Sequence, residues 1–299
     1  MIRIANAPCS WGVLEFELEG EAAGFAQVLD EMKATGYEGT ELGDWGFMPS
    51  EPGPLRAELD KRGLQLLGAF VPVSLADPAA LREGIDTAVR TASLMADSGF
   101  PEAFLVLADN NGTVPERTLN AGRITPEMSL SPGEWEIFAS GATSLAEEVR
   151  KETGLRTAFH HHCGGHVETP EEIAIFLGRT DPGLLGLVFD TGHYRFGGGD
   201  PMEGLSRFRE RIWHVHFKDC DEVTALESRK KKWDYFESVR AGVFCELGKG
   251  SVDFPSITSE LKAGGYEGWI VVEQDVLPGM GDPMNCAHRN RRYLEKLGL

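Results

Sequence analysis

The sequence contains few cysteines and no long apolar run. Its 299 residues include five cysteines, an odd number without a C-x-x-C spacing. This pattern argues against a disulfide framework and against a structural zinc knuckle. No apolar stretch approaches the ~20 residues that span a bilayer, and the chain turns polar too early for a signal peptide. We therefore expect a soluble, cytoplasmic protein without a membrane partner.

Basic side chains are also scarce. Lys and Arg number 29 against 47 Asp and Glu, which gives a formal net charge of −18. Because partners that are bound through phosphates need clustered Lys and Arg, nucleic acid and anionic membranes are not expected partners. The G-x-S-x-G and G-x-G-x-x-G motifs are absent as well, so nothing indicates a nucleophile elbow or a dinucleotide site. A small-molecule substrate is the expected partner, and a homo-oligomer is possible.

Short apolar segments of strand length alternate with helical segments throughout the chain. A continuous apolar run bounded by glycine is typical of a strand that is covered on both faces. Barrels of alternating strands and helices commonly reach about 250 residues as one domain, and no shift in composition marks a boundary here. We therefore predict a single α/β domain over residues 1–299, a (β/α)8 TIM barrel. Its strands are predicted at Ile2–Ala7, Gly39–Leu42, Leu64–Phe70, Ala103–Leu107, Thr157–His161, Leu187–Phe189, Ile212–Phe217 and Trp269–Glu273.

A short internal repeat supports this fold. Residues 33–42 (KATGYEGTEL) resemble residues 262–271 (KAGGYEGWIV), and in each copy a helical pattern ends in glycine before a strand. The same helix-to-strand connection at both ends of the chain is expected for a closed ring of βα units.

Three helix starts carry a capping side chain, a proline at the first helical position and a glutamate three residues after the cap. These starts are at Ser131, Thr169 and Asp200. Two segments lack apolar periodicity and are predicted as loop insertions, at residues 110–131 and 221–244. The second contains the basic run 229–232 (RKKK), which is interpreted as a solvated face or, alternatively, as a substrate contact.

Acidic and imidazole side chains follow several of the predicted strands. Asp190 and Glu273 directly follow apolar runs, and His216 lies next to the last residue of the predicted strand Ile212–Phe217. Active sites of α/β barrels are built at the carboxyl ends of the strands. A mixed oxygen and imidazole set is typical of Mn²⁺, Co²⁺, Zn²⁺ or Fe²⁺ rather than Mg²⁺. These three residues are therefore predicted to bind a divalent metal.

The histidine run 160–162 is predicted to supply a fourth ligand. Because side chains alternate along a strand, His160 and His162 share one face while His161 points the other way. Either His160 or His162 is the expected ligand. By the same alternation His214 and His216 share a face, so spacing alone does not decide which of them binds the metal.

Other residues near these strand ends are candidates for contact with the substrate. Lys218 continues the face of His216 and is suited to holding a carbonyl or stabilising an enolate. His193 is interpreted as an acid/base or as a structural hydrogen-bond partner. The candidate catalytic residues are therefore His193, Lys218 and His161, and the candidate substrate-binding residues are Trp11, Glu41, His214 and Glu168.

These segments together resemble the xylose isomerase-like barrel superfamily, and within it the keto-inositol dehydratase branch. The closest likeness covers residues 159–162, 167–169, 190–193, 198–201, 211–219, 242–244 and 265–269, with residues 7–12 and 36–42 similar to the opening of the family. The resemblance implies Asp190, His216 and Glu273 as metal ligands, with His193 beside them at the substrate. The superfamily commonly uses a glutamate as the remaining ligand, and this chain has the histidine cluster instead, as the dehydratase branch does.

The resemblance implies a metal-dependent dehydratase that removes water from 2-keto-myo-inositol in inositol catabolism, with Mn²⁺ or Co²⁺ as the first choice of metal and Zn²⁺ or Fe²⁺ as alternatives. Removal of a proton beside a carbonyl, followed by loss of the β-hydroxyl, is dehydration, whereas return of the proton elsewhere is isomerisation or epimerisation. A ketose isomerase or epimerase is therefore the alternative expectation. A phosphodiesterase resembling endonuclease IV is less favoured, because it needs a basic surface.

Overall fold

Eight parallel strands close into a barrel. The structure is a computed structural model and describes residues 1–13, 23–277 and 279–299. Around the barrel the strand order is β1, β10, β7, β6, β5, β4, β3, β2, and β2 returns to β1. The strands are β1 Ile2–Asn6, β2 Gly39–Glu41, β3 Gln65–Val73, β4 Phe104–Asp109, β5 Arg156–His160, β6 Leu185–Asp190, β7 Ile212–Phe217 and β10 Gly268–Val272; the antiparallel pair β8 Asp219–Cys220 and β9 Phe244–Cys245 lies outside the barrel. All eight predicted barrel strands are confirmed, with ends that differ by up to three residues.

Helices connect the strands and cover the barrel. They are α1 Phe25–Ala34, α2 Pro52–Asp60, α3 Leu81–Asp97, α4 Pro115–Leu119, α5 Pro132–Thr153, α6 Pro170–Leu177, α7 Thr191–Phe196, α8 Pro201–Phe208, α9 Glu222–Lys231, α10 Tyr235–Arg240, α11 Phe254–Ala263 and α12 Pro283–Lys296, with short 3₁₀ turns at Pro8–Trp11, Pro126–Met128 and Arg209–Arg211. The largest apolar cluster packs between these helices and the outer faces of the strands. Among the described residues no helix is both long enough and apolar enough to cross a bilayer.

The sequence signals for helix starts are confirmed. Ser131 and Thr169 each accept a hydrogen bond from the backbone N–H three residues later, and the glutamate at that position completes a capping box. Asp200 accepts from the N–H groups of Met202 and Glu203. Each cap satisfies backbone donors that the first turn of a helix leaves without a partner.

The internal repeat corresponds to two equivalent connections on either side of β1. Helix α1 is followed by Gly36 with φ 90° and then β2, while α11 is followed by Gly265 with φ 71° and then β10. Strands β2 and β10 both pair with β1. The repeat therefore marks the place where the two ends of the chain close the ring.

The two insertions are more ordered than their sequences indicate. Residues 221–244 were expected to be irregular, but they contain α9 and α10. The insertion at 110–131 contains α4, and Arg117 fastens it to α6 through a buried pair of hydrogen bonds to Glu172 at 2.9 and 2.7 Å. Buried polar contacts attach this segment to α6. Because such contacts leave no apolar periodicity in the sequence, only a loop was predicted.

Candidate metal centre and active site

The register of the barrel brings the predicted ligands to one place. Asp190 at the end of β6 pairs with His216 in β7, and His216 pairs with Val271 in β10. Glu273 follows two residues after Val271 on the same inward face. Three neighbouring strands therefore deliver one side chain each to the same point above the barrel interior.

His160 completes a cluster of four possible ligands. One ligand atom from each of His160, Asp190, His216 and Glu273 lies within 4.8 Å of the others, and all four residues are buried. His160 Nε2 lies 3.7 Å from Asp190 Oδ2, which in turn lies 3.9 Å from His216 Nδ1. His216 Nδ1 is 3.2 Å from Glu273 Oε1.

The chemistry of this cluster fits a divalent cation. Asp190 Oδ2 and His216 Nδ1 are buried, and among the described residues neither makes a hydrogen bond of good geometry, although Glu273 Oε1 lies 3.2 Å from His216 Nδ1. Such groups are costly to bury unless another partner binds them. Nitrogen and oxygen donors in this combination are typical of first-row divalent metals.

A carboxylate behind His216 orients its ring. Glu41 Oε1 lies 3.1 Å from His216 Nε2 and 2.9 Å from His214 Nε2. Burial opposes charge on His216, but Glu273 and Glu41 outweigh this effect and raise its pKa well above the usual range. Burial likewise opposes charge on Glu41, yet the two histidines lower its pKa to about 2. A carboxylate that holds the far nitrogen of an imidazole fixes the other nitrogen toward a metal.

Lys218 brings a cation to the same cavity. Its Nζ lies 3.2 Å from Glu273 Oε2, 3.3 Å from Asp275 Oδ1 and 3.3 Å from His193 Nε2. Burial would lower the pKa of Lys218, but Asp275 and Glu273 raise it well above its usual range. The side chain is therefore a charged ammonium, held in one position beside the metal cluster.

His193 lies behind the cavity wall rather than in it. Its Nδ1 faces the backbone N–H of Cys163 at 3.3 Å, and its ring is tilted against that of His162 with the centroids 3.8 Å apart. Burial, followed by the charges of His162 and Lys218, lowers the pKa of His193 well below its usual value. His193 is therefore a neutral imidazole. It does not line the cavity, but it contacts Lys218, which does.

Gly192 makes the approach of Lys218 possible. A Cβ at this position would lie 2.6 Å from Lys218 Cγ and 3.0 Å from the Lys218 carbonyl oxygen. The glycine in the sequence Asp190-Thr191-Gly192-His193 thus has a steric reason, because any side chain there would displace the lysine.

The cavity itself is lined from both halves of the barrel. Its walls are formed by Ala7, Pro8, Cys9, Val13, Glu41, Gly43, Asp44, Phe70, His160, His162, Lys218, Tyr235, Glu273 and Asp275. His160 and His162 both face it, as the alternation predicted. His162 Nδ1 lies 2.7 Å from the Cys163 carbonyl oxygen and its Nε2 lies 3.4 Å from the Tyr235 hydroxyl, so it faces the second insertion rather than the four-ligand cluster.

Besides His193 and His214, three predicted catalytic or substrate-binding residues do not line this cavity. His161 is on the opposite face of the segment, where its Nε2 accepts a hydrogen bond from the Asp190 N–H at 3.2 Å. Glu168 is fully buried and accepts from the N–H groups of Gly122 and Gly164 at 2.7 and 2.9 Å. Trp11 lies in the core, and its indole donates to Glu31 of α1 at 2.7 Å. All three stabilise the structure around the site and do not line its inner surface.

Sequence reasoning missed Asp275 and Cys9. Asp275 is fully buried against Lys218, and burial, the largest influence, raises its pKa. It follows Glu273 by two residues, so the alternation used for the histidines would have placed both carboxylates on one face. Cys9 follows β1 in a 3₁₀ turn, and no periodic pattern indicates that such a residue faces the cavity.

The short glycine loop at 248–250 has a structural role. The N–H groups of Gly248 and Gly250 donate to Asp219 Oδ2 at 2.8 and 2.9 Å, and Val252 N donates to Oδ1 at 3.1 Å. The Asp219 carboxylate therefore occupies the position that a bound anion would take in such a loop.

The fold and this centre define the class of the protein. It is a (β/α)8 barrel in which carboxylates and imidazoles from the ends of neighbouring strands surround one possible metal position. The model of the family described as xylose isomerase-like TIM barrel matches residues 29–296. The chain belongs to that family.

Sequence relatives cover almost the whole chain. It is 33% identical over 295 residues to the inosose dehydratase of Geobacillus kaustophilus strain HTA426, covering 99% of this chain and 94% of that one. It is 31% identical over 301 residues to the inosose dehydratase of Salmonella typhimurium strain LT2, with coverage of 99% and 96%.

Solved structures show the same fold at lower identity. The IolI protein, described with a bound zinc atom, has a TM-score of 0.74 at 15% identity and is covered over 97% of its length by 99% of this chain. The probable 3-DHS dehydratase AsbF from Bacillus anthracis has a TM-score of 0.71 at 15% identity, with 98% of each chain covered.

Proposed function

We propose that the protein is a metal-dependent dehydratase that removes water from a keto-inositol, 2-keto-myo-inositol, in inositol catabolism. The observation that carries this proposal is the similarity over nearly the full chain to proteins named inosose dehydratase, at 31 to 33% identity. The buried ligand cluster at the expected end of the barrel supports it independently. A carbon–oxygen lyase acting on a small polyol ketone suits this site.

His160, Asp190, His216 and Glu273 are the residues that we propose hold the metal, with His162 as the alternative to His160. Bound there, a divalent metal supplies Lewis acidity that acidifies the C–H bond beside a substrate carbonyl. The mixed nitrogen and oxygen donors suit first-row divalent metals, of which Mn²⁺ and Co²⁺ are our first choice and Zn²⁺ or Fe²⁺ the alternatives. His214 and Glu41 act through His216 by fixing its orientation.

Proton transfer is assigned to Lys218 together with His193. A neutral imidazole accepts one hydrogen bond, so His193 cannot accept from Cys163 N–H and from Lys218 Nζ in the same state. The two states differ in which ring nitrogen holds the proton. Lys218 lines the cavity and its ammonium is positioned to stabilise negative charge on the substrate oxygen or to protonate the leaving hydroxyl.

Asp275 and His161 are positioning residues in this scheme. Asp275 Oδ1 holds the Lys218 ammonium at 3.3 Å, and His161 fixes the backbone at Asp190. Glu168 ties the loop after β5 to the insertion at 110–131. Tyr235, His162 and Glu41 line the cavity in which the substrate would bind.

The test is an anaerobic assay of the Mn²⁺- or Co²⁺-loaded protein with 2-keto-myo-inositol, in which ultraviolet absorbance follows the conjugated dione product. We expect metal-dependent absorbance in the wild type and none in Glu273→Gln. A folded, metal-loaded protein that forms no product would refute the substrate. Solvent D₂O incorporation into unreacted ketose without water loss would instead support the isomerase or epimerase alternative.

A further inference from the structure

A second cavity lies between the two insertions, away from the metal centre. Its volume is about 370 Å³, within the range of small-molecule sites. Three of the residues that line it are arginines and one is a carboxylate, in a chain whose net charge is −18. The lining residues are Gly122, Arg123, Ile124, Arg195, Gly197, Gly198, Glu222 and Arg229.

The side chain of Arg229 points in a different direction from those of the lysines that follow it in the basic run 229–232. Its neighbour Lys230 is exposed, and Lys231 pairs with Glu227 at 3.0 Å on the surface of α9. Arg229 instead turns inward, where Nε donates to the Gly122 carbonyl at 2.9 Å and Nη2 to the Phe196 carbonyl at 3.2 Å. The guanidinium is therefore half-buried and fixed before any ligand binds.

The other two arginines come from different elements. Arg123, in the first insertion, donates to the carbonyl oxygens of Trp233 at 2.7 Å and of Leu119. Arg195, in α7, donates to Ser251 Oγ at 3.1 Å and to Glu222 Oε2 at 3.0 Å. Three chain segments therefore contribute one guanidinium each to the same cavity.

The residues that line the cavity carry more positive than negative charge. Arg62, in contrast, pairs with two carboxylates, those of Asp30 and Glu58. Arg123 and Arg229 are held by carbonyl oxygens, which are neutral, and within the described ranges neither has a carboxylate oxygen closer than 4.0 Å. Glu222 is the one carboxylate in the lining against three arginines, and Glu168 and Asp234 act on Arg123 from outside the lining.

We propose that this cavity binds an oxyanion of the phosphate class, either free phosphate or the phosphate group of a small organic phosphate. A planar guanidinium donates two parallel hydrogen bonds to phosphate oxygens, and Arg is the preferred residue wherever such recognition is needed. Because the three guanidiniums are already held by acceptors within the protein, little side-chain entropy is lost on binding. The inference goes beyond the proposed dehydratase reaction and does not depend on it.

The test measures binding of inorganic phosphate and of glucose 6-phosphate to the metal-loaded protein by calorimetry, with ionic strength held constant by KCl. We expect saturable binding of at least one of them. Arg229→Gln and Arg123→Gln should each weaken it by roughly tenfold or more, because each removes a charge-assisted donor pair. Lys230→Gln removes the same charge one residue away and should change the affinity by less than about twofold.

For Glu222→Gln we expect an increase in phosphate affinity, which damage to the fold would not produce. Loss of the one carboxylate that lines the cavity should tighten phosphate binding by roughly two- to fivefold. Weakened binding in this variant, an absence of binding to either probe, or binding that survives Arg229→Gln but is lost when the metal is removed would each overturn the proposal. Equal affinity for the two probes would identify the phosphate group alone as the determinant, and preference for glucose 6-phosphate would assign part of the affinity to the organic portion.

Discussion

Along three strands of the barrel, the inward face changes from apolar to ionisable within two residues, although burial stays the same. Ala158, Val188 and Val271 form part of a lower layer in the barrel interior, and each is 0% exposed. Two residues further along the same strands, the upper layer contains His160, Asp190 and Glu273, of which the most exposed is 9% exposed. The lower layer is therefore suited to packing, whereas the upper layer is costly to bury and is explained by a bound cation.

The largest effect is expected for Asp190→Asn in the upper layer. Removal of this carboxylate takes a charged ligand from the centre, and dehydration should slow on the order of a thousandfold because metal-based charge stabilisation is worth several kcal/mol. Metal content by mass spectrometry and the anaerobic assay would measure both losses. Asp109→Asn is the matched control, since Asp109 also ends a strand and is buried but lies outside the cluster. Equal loss in the control would contradict the assignment.

The lower layer should respond in the opposite way. Val188→Ala leaves a void below Asp190 and should lower the free energy of unfolding by about 2–3 kcal/mol. The metal content of the folded fraction should stay unchanged. Urea denaturation combined with metal analysis checks both statements, and metal loss without a change in stability would remove the distinction between the layers.

Glu41→Gln tests the orientation of His216 while leaving all four proposed metal ligands in place. The amide keeps the shape of the side chain but not the charge that holds His214 and His216. Metal affinity should fall roughly ten- to hundredfold, as is usual when the group behind a ligating histidine is changed. Competition with a chelator measures the shift, and an unchanged affinity would show that the orientation of His216 does not depend on Glu41.

Local properties of the sequence predict part of this structure. Strand positions and the shared face of His160 and His162 followed from apolar runs and alternation, which are local properties. The helices of the second insertion were missed, since α9 has almost no apolar face and its position depends on contacts such as that of Arg229 with Gly122. Trp11 could not be placed either, because its burial against α1 is set by tertiary packing.

The smallest effect is expected from the titration of Glu168. This residue is as buried as Asp190 but lies outside the upper layer. Burial raises its pKa from 4.5 to about 7. Since the folded state binds the proton more tightly, this group stabilises the fold below about pH 4.5, and that stability is lost as the pH rises through 7. The loss is on the order of 2 kcal/mol between pH 5 and 7.

The stability of wild type and of Glu168→Gln, measured by denaturation across this range, would check the effect of Glu168. The wild type should lose stability with rising pH relative to the variant. Parallel pH profiles would show that Glu168 does not titrate in this range.

The central claim is that one divalent metal is held by His160, Asp190, His216 and Glu273. The most direct measurement is the metal stoichiometry of the Co²⁺-loaded protein, compared between His160→Ala and His162→Ala. We predict one Co²⁺ per chain in the wild type and in His162→Ala, and its loss in His160→Ala. Retention of the metal in His160→Ala together with its loss in His162→Ala would contradict the claim.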